Sequence, residues 1–386
     1  MNKLILDDLV ARKINQGIQL LQGQDFKNFS LNDQVVGLYN SKQDFLGTAY
    51  LSSQNKGIGW LISRDQVHLD EDFFIDLLTR ARQKRQAYEN DELTTAYRLF
   101  NQEGDHLGGL SIDRYGSYAL FSWYNSYIYS LRDVIIAAFK QVYPELLGGY
   151  EKIRFKGLTY ESAHCYGQEA PDTFTILENG VHYRVFLDDG LMTGIFLDQH
   201  EVRLSLINGL ALGKSVLNMF SYTAAFSIAA AMGGASDTTS VDLAKRSREL
   251  SRAHFEANSL DLTHHQLMVM DVFDYYRYAK RRGLSYDLII LDPPSFARNK
   301  KQTFSVVKDY HKLISQAVEI LNPEGTIIAS TNASNVSVEQ FQQELEKGFG
   351  RIKHRYLDLK QLPADFTVNK ADKRSNYLKV YTIKVE

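Results

Sequence analysis

The sequence predicts an α/β chain whose carboxyl-terminal half is a mostly parallel, doubly wound sheet behind two smaller modules. Three observations carry this reading. From about residue 190 five apolar runs recur, Ser215–Phe220, Thr238–Val241, Gln266–Met270, Tyr286–Leu291 and Thr326–Ser330, each followed by a helical pattern. Strands alternating with helices build a parallel sheet. Residues 1–70 instead show short apolar runs separated by glycine and polar turns, as a small β-rich module does. At 386 residues the chain also exceeds one ordinary domain, since domains run to roughly 100–200 residues. The predicted division is 1–72, 73–188 and 189–386.

In chain order, Val35–Tyr39 and Gly47–Leu51 read as strands of the first module. Residues 71–90 read as a helix with Phe73, Phe74, Leu77 and Leu78 on one face, and Arg80, Arg82, Lys84 and Arg85 follow. The stretch 97–188 reads as α+β: two strands around a turn in Leu110–Phe121, a helix over 129–143, and a strand over Val181–Asp188. In the last domain Leu243–Asn258 and Val338–Phe349 read as helices. Arg351–Leu359 and Tyr377–Val385 have no helix between them, which predicts an antiparallel hairpin at the sheet edge.

Composition narrows the class. With 44% hydrophobic and 23% charged residues the chain is not disordered. A net charge of −2 excludes a histone-like protein but leaves room for a local basic face. The single cysteine, Cys165, excludes an intramolecular disulfide and a multi-cysteine zinc site. Met1 to Asp8 carries two acids and does not read as a signal peptide. The uncharged stretch between Lys214 and Asp237 contains Asn218, Ser221, Thr223 and Gly233-Gly234, which suits a strand, turn and helix better than a membrane span. The expectation is a cytoplasmic protein with no membrane segment and no metal.

In a sheet of this kind ligands bind beyond the carboxyl ends of the strands. The runs end in Asn218-Met219-Phe220-Ser221-Tyr222-Thr223, Val241-Asp242, Met270-Asp271-Val272-Phe273, Leu291-Asp292-Pro293-Pro294 and Ser330-Thr331-Asn332. Three successive strands ending in Asp are hard to explain by packing, because an unpaired carboxylate is costly to bury. Asp242 stands near the spacing at which an acid takes ribose hydroxyls. A helix cap explains Asp242, or Asp271, equally well taken alone. The first turn lacks G-x-G-x-x-G, so a pyrophosphate cannot approach the helix closely. A nucleoside ligand without phosphates, such as S-adenosylmethionine, fits better.

Thr193-Gly194-Ile195-Phe196-Leu197-Asp198-Gln199-His200, Asn218 to Phe226 and Asp292-Pro293-Pro294-Ser295-Phe296 together resemble the class I methyltransferases of bacterial large-subunit rRNA. The layout is similar to the cytosine-5 type, with PUA-like, α+β and Rossmann-like methyltransferase domains; Tyr97 to Gly116 resembles that type's middle domain. The resemblance implies S-adenosylmethionine as cofactor and rRNA as partner, with a second copy of the chain as a further candidate. It implies that Asn218, Phe220, Ser221, Tyr222 and Thr223 wrap the methionine part and that Asp242 takes the ribose. Asp271, Val272 and Phe273 would take the adenine, and the segment holding Thr193, Phe196 and Asp198 would close over the pocket. Asp292, Pro293, Pro294 and Phe296 would lie between the methyl donor and a flipped base.

The sequence departs from the cytosine-5 pattern where that chemistry needs its nucleophile. Asn332 stands in the cysteine's place, and Cys165 belongs to no matching motif. Ser330-Thr331-Asn332 and Leu362 to Asn369 resemble guanine nitrogen-7 methyltransferases instead. Direct attack by a ring nitrogen needs alignment and desolvation, not a covalent step. Asp292 and Asn332 are therefore the candidate catalytic residues. Arg298, Lys300 and Lys301 are candidate phosphate contacts beside the base pocket; the runs at 80–85 and 277–282 are basic faces of helices. The competing functions are a cytosine-5 enzyme with an unrecognised nucleophile, a non-catalytic RNA-binding ribosome-assembly factor and, more remotely, an NAD oxidoreductase.

Overall fold

The computed structural model describes residues 1–26, 31–54, 56–172, 174–298 and 303–386, with 296–298 and 303 described in backbone only. Its contacts divide the chain into two units. One comprises Met1–Ile176, Val185–Thr193 and Ala364–Ser375; the other comprises Leu177–Arg184, Gly194–Pro363 and Asn376–Glu386.

The first unit holds two five-stranded sheets. The amino-terminal sheet orders its strands Asn2–Ile5, Gln34–Tyr39, Phe45–Leu51, Gly59–Ser63 and Leu20–Leu21. A helix the sequence reading missed, Asp8–Asn15, buries Val10, Ala11 and Ile14. Its single short apolar face is too brief to register as periodicity. The second sheet contains the expected pair Leu110–Tyr115 and Tyr118–Trp123, antiparallel to each other. Helix Glu71–Gln83 buries Phe74, Leu77, Leu78 and Ala81.

The basic run on that helix is not a free face. Arg85 is wholly buried and its guanidinium donates to the Asp105 carboxylate at 2.6 Å and to the Asp365 carbonyl at 2.7 Å. Lys84 also pairs with Asp105, Arg82 with Glu89 and Glu145, and Arg80 with Asp76. Although burial opposes it, Arg85 holds the Asp105 carboxyl below its ordinary value. The buried Asp105 has drawn Lys84 and Arg85 inward.

The second unit is built on one seven-stranded sheet. Its strands, in chain order, are β1 (Ser215–Met219), β2 (Asp237–Asp242), β3 (His265–Val269), β4 (Tyr286–Leu291), β5 (Leu321–Thr331), β6 (His354–Lys360) and β7 (Lys379–Val385). They lie in the order β3-β2-β1-β4-β5-β7-β6. The first five pair in parallel. β7 runs antiparallel to both β5 and β6, so the expected edge hairpin forms with its second strand on the inside. Helices α1 (Ala225–Met232), α2 (Lys245–Ala257), α3 (Val272–Arg282), α4 (Val306–Val318) and α5 (Val338–Phe349) connect or follow the strands. β1 and β4 are mostly apolar, with Ser215, Asn218 and Asp287 as exceptions, because both faces are covered: Leu217, Met219, Ile289 and Leu291 pack under α3 and α4, while Val216, Leu288 and Ile290 pack with α1. α3 ends at Gly283, whose φ of +65° is left-handed and favours glycine. Among the described residues no helix is long and apolar enough to cross a membrane.

Candidate active site

Strand order reverses between β1 and β4, so a crevice opens beyond their carboxyl ends. The turn leaving β1 is the first wall. Phe220, Tyr222 and Ala224 all take left-handed backbone, with φ of 59°, 49° and 61°. None is glycine, and each costs on the order of 1–3 kcal/mol and persists only where its surroundings enforce it. They do. The Ser221 amide donates to the Val241 carbonyl at 3.0 Å and the Tyr222 amide to the Asp242 carboxylate at 2.9 Å. From the segment before α1, the Gly194 amide donates to the Tyr222 hydroxyl at 3.0 Å, and the Thr223 hydroxyl donates back to the Gly194 carbonyl. Phe196 lies 5.6 Å from the Tyr222 ring and is itself 48% exposed.

The strand-end acids are all partnered, which corrects the argument that packing could not explain them. Asp242 accepts from the amides of Tyr222 and Ala244 and from the Ser247 hydroxyl. Asp271 caps α3, accepting from the amides of Phe273 and Asp274. Asp292 accepts from the Ser330 hydroxyl at 2.8 Å and the Gln199 amide at 2.9 Å. Burial pushes the Asp292 carboxyl above its ordinary pKa; the bonds from Ser330 and Gln199 work against that.

Asn218 is fully buried and donates to the Ser227 hydroxyl, while its side-chain oxygen has no partner among the described residues. Asn332, past the end of β5, is exposed and accepts from the Ser295 hydroxyl at 2.9 Å. The structure thus brings Asp292, Ser295, Ser330 and Asn332 together across the ends of β4 and β5. Asp198 accepts from the Tyr377 hydroxyl. Phe220 and Phe273 pack at the margin of the core, each 6.3 Å from Phe304, and Val272 is buried within it. Pro293 is buried and Pro294 exposed. Thr193 belongs to the first unit, where it takes a hydrogen bond from Tyr115. Phe296 and Arg298 are described in backbone only, on a short strand paired with Thr303–Ser305. Lys300 and Lys301 lie outside the described residues.

Residues 154–367 match the S-adenosylmethionine-dependent methyltransferase family. The chain belongs to it. The methyltransferase also matches a PUA-like domain over residues 4–64, which bears out the reading of the first module. It is 41% identical over 390 residues to YwbD of Bacillus subtilis (strain 168), named provisionally as a ribosomal RNA large subunit methyltransferase, with 98% of each chain covered. It is 30% identical over 377 residues to "Ribosomal RNA large subunit methyltransferase I" of Yersinia pestis, covering 95% of this chain and 93% of that one. A solved methyltransferase structure from Streptococcus mutans is similar across 100% of both chains, at 62% identity and a TM-score of 0.95. SMU.776, solved in complex with SAH, is 63% identical with a TM-score of 0.97, again over 100% of both chains.

The methyltransferase's cofactor is S-adenosylmethionine, and the strand ends fit it. Asp242 uses three acceptor positions, and a carboxylate offers about four. Beside it Ser221, Ser247, Met268 and Val269 line a recess of mixed polarity. Sequence reasoning named Gln199 only as part of a closing segment and Ser330 only as part of a strand-end run, and passed over Tyr310. The Tyr310 hydroxyl lies 3.0 Å from the carbonyls of both Leu291 and Ser330, bridging β4 and β5 just before the site. Its place in α4 is that of any buried aromatic, so no sequence signal marks it.

Proposed function

We propose that the enzyme methylates a base of large-subunit rRNA, guanine at ring nitrogen 7, by direct transfer without a covalent intermediate. The observation that carries this is the residue set beyond β4 and β5. It offers a carboxylate, hydroxyls and amides, and no thiol, in Asp292, Ser295, Ser330, Asn332 and Gln199. Carbon methylation of cytosine requires a nucleophile first. The chain's one cysteine does not supply a thiolate: burial pushes the Cys165 thiol up to about 12. The names of the Bacillus and Yersinia relatives supply the rRNA class.

Bound S-adenosylmethionine supplies an electrophilic methyl group on a positively charged sulfur. On transfer, the lone pair of nitrogen 7 would take that methyl carbon, and the electron pair of the broken carbon–sulfur bond would leave with sulfur. No proton moves, and the positive charge passes to the purine. Asp292, ionised and held by Gln199 and Ser330, stabilises that charge as it arrives. Asn332 holds a base edge as donor and acceptor. The turn Asn218–Thr223 receives the methionine part, Asp242 the ribose, and Asp271 to Phe273 the adenine. Phe196 and Asp198 flank the pocket, Pro293, Pro294 and Phe296 border the base, and Arg298 and Lys300 meet phosphate. Residues 1–72 and 73–188 serve RNA recognition in this reading, and 189–386 serve transfer. The test is mass spectrometry of nucleosides from large-subunit rRNA methylated by the pure enzyme. The expected product is 7-methylguanosine; 5-methylcytidine in its place would overturn the reading.

A further inference from the structure

Lys379 opens β7 and pairs with Thr331, the last residue of β5. It is only 2% exposed, yet among the described residues its ammonium meets no carboxylate: it donates to the carbonyls of Ala333 at 2.8 Å and Val336 at 2.7 Å. Burial alone pushes it down, to about 8. Of the titratable groups nearby, Tyr381 on β7 and Glu339 on α5 act on one another. An isolated ammonium in a core is costly, and an apolar chain of the same length would fill the space more cheaply. A violated local rule of this kind tends to mark function.

What the ammonium grips is the loop 332–337 between β5 and α5. The Ala333 amide donates to the Thr331 hydroxyl, and the Ala333 and Val336 side chains are buried. Asn332 therefore projects to solvent between two residues that are both fixed, one by strand pairing and one by Lys379. We infer that Lys379 is a positioning residue that sets the loop carrying Asn332, and through it the alignment of the target base. The inference rests on the function proposed above.

The experiment uses the full chain with S-adenosylmethionine and large-subunit rRNA. Lys379→Met should lower kcat at least tenfold, because misplacement by about 1 Å can cost a hundredfold. Its affinity for S-adenosylmethionine, measured by calorimetry, should stay within about twofold. In an Asn332→Ala background the same change should add little, since both act through one loop. An equal loss in both backgrounds would overturn the proposal. Should Lys379→Met fail to fold, Lys379→Arg serves, because a guanidinium does not deprotonate. Wild-type kcat should decline above a pH of about 8 as the Lys379 ammonium loses its proton. Lys379→Arg should remain active without that decline; a decline that persists would overturn the proposal. A wild-type enzyme that leaves this RNA unmethylated would overturn the function reading and this inference with it, before any variant is compared.

Discussion

Gln199→Ala is the sharpest probe of the proposed chemistry, because it touches Asp292 and leaves the carboxylate in place. Gln199 donates one of the two described side-chain hydrogen bonds that hold Asp292, the other coming from Ser330. Burial already pushes Asp292 up, and these bonds pull it down. A hydrogen bond to a charged group contributes about 1.5–3 kcal/mol. At 1.36 kcal/mol per tenfold step, its loss makes the anion harder to keep by about ten- to a hundredfold. Transfer needs the anion, so activity is present above the Asp292 pKa and lost as pH falls through it. The acid limb of kcat in Gln199→Ala should therefore move to higher pH, with recovery at alkaline pH. S-Adenosylmethionine affinity should change little. Asp292→Asn is the control: it keeps the shape, removes the charge, and should be slow with no acid limb. An acid limb that stays put in Gln199→Ala would refute the claim that the Asp292 anion drives transfer.

Asp242→Ala removes the acceptor for Tyr222, Ala244 and Ser247 as well as the proposed ribose contact, so S-adenosylmethionine affinity measured by calorimetry should fall by at least the roughly 1.5–3 kcal/mol of one charge-assisted bond. Arg85→Met leaves Asp105 buried with Lys84 as its only described cation; chemical denaturation should show a loss of about 3–5 kcal/mol, as when one partner of a buried pair is removed. Cys165→Ser should methylate RNA within a small factor of wild type in a radiolabel assay, and a large loss would reopen the covalent route.

The parallel sheet was legible because strands covered on both faces must be mostly apolar, and Ser215–Met219 and Tyr286–Leu291 are, apart from Ser215, Asn218 and Asp287. The placement of β7 between β5 and β6 was not legible. It depends on the antiparallel pairing of Thr326–Thr331 with Lys379–Lys384, and a strand pairing has no signature in either strand alone. The basic run at 80–85 misled for a related reason. Its spacing describes a helix face, but the acid that draws Arg85 and Lys84 inward is Asp105, about twenty residues away in sequence. Periodicity reports which residues share a face and says nothing of which distant charge waits opposite.

The strand-end acids show that a carboxylate satisfied by its neighbours can still be a candidate ligand contact. In the sequence alone, three carboxylates at successive strand ends have no evident packing partner and point to a ligand. Each is in fact satisfied by its own neighbourhood, Asp242 by the β1 turn, Asp271 by its helix and Asp292 by Ser330 and Gln199. The two roles are compatible because the same bonds that satisfy a carboxylate also aim it. Asp242 holds Tyr222 in left-handed backbone without a glycine, so the turn that replaces the glycine fingerprint is built on the acid at the end of the next strand. A sequence search for glycines finds nothing there. The backbone freedom that glycine would have provided is supplied by enforcement from Asp242, Val241 and Gly194, and that enforcement is visible only once the strands are side by side.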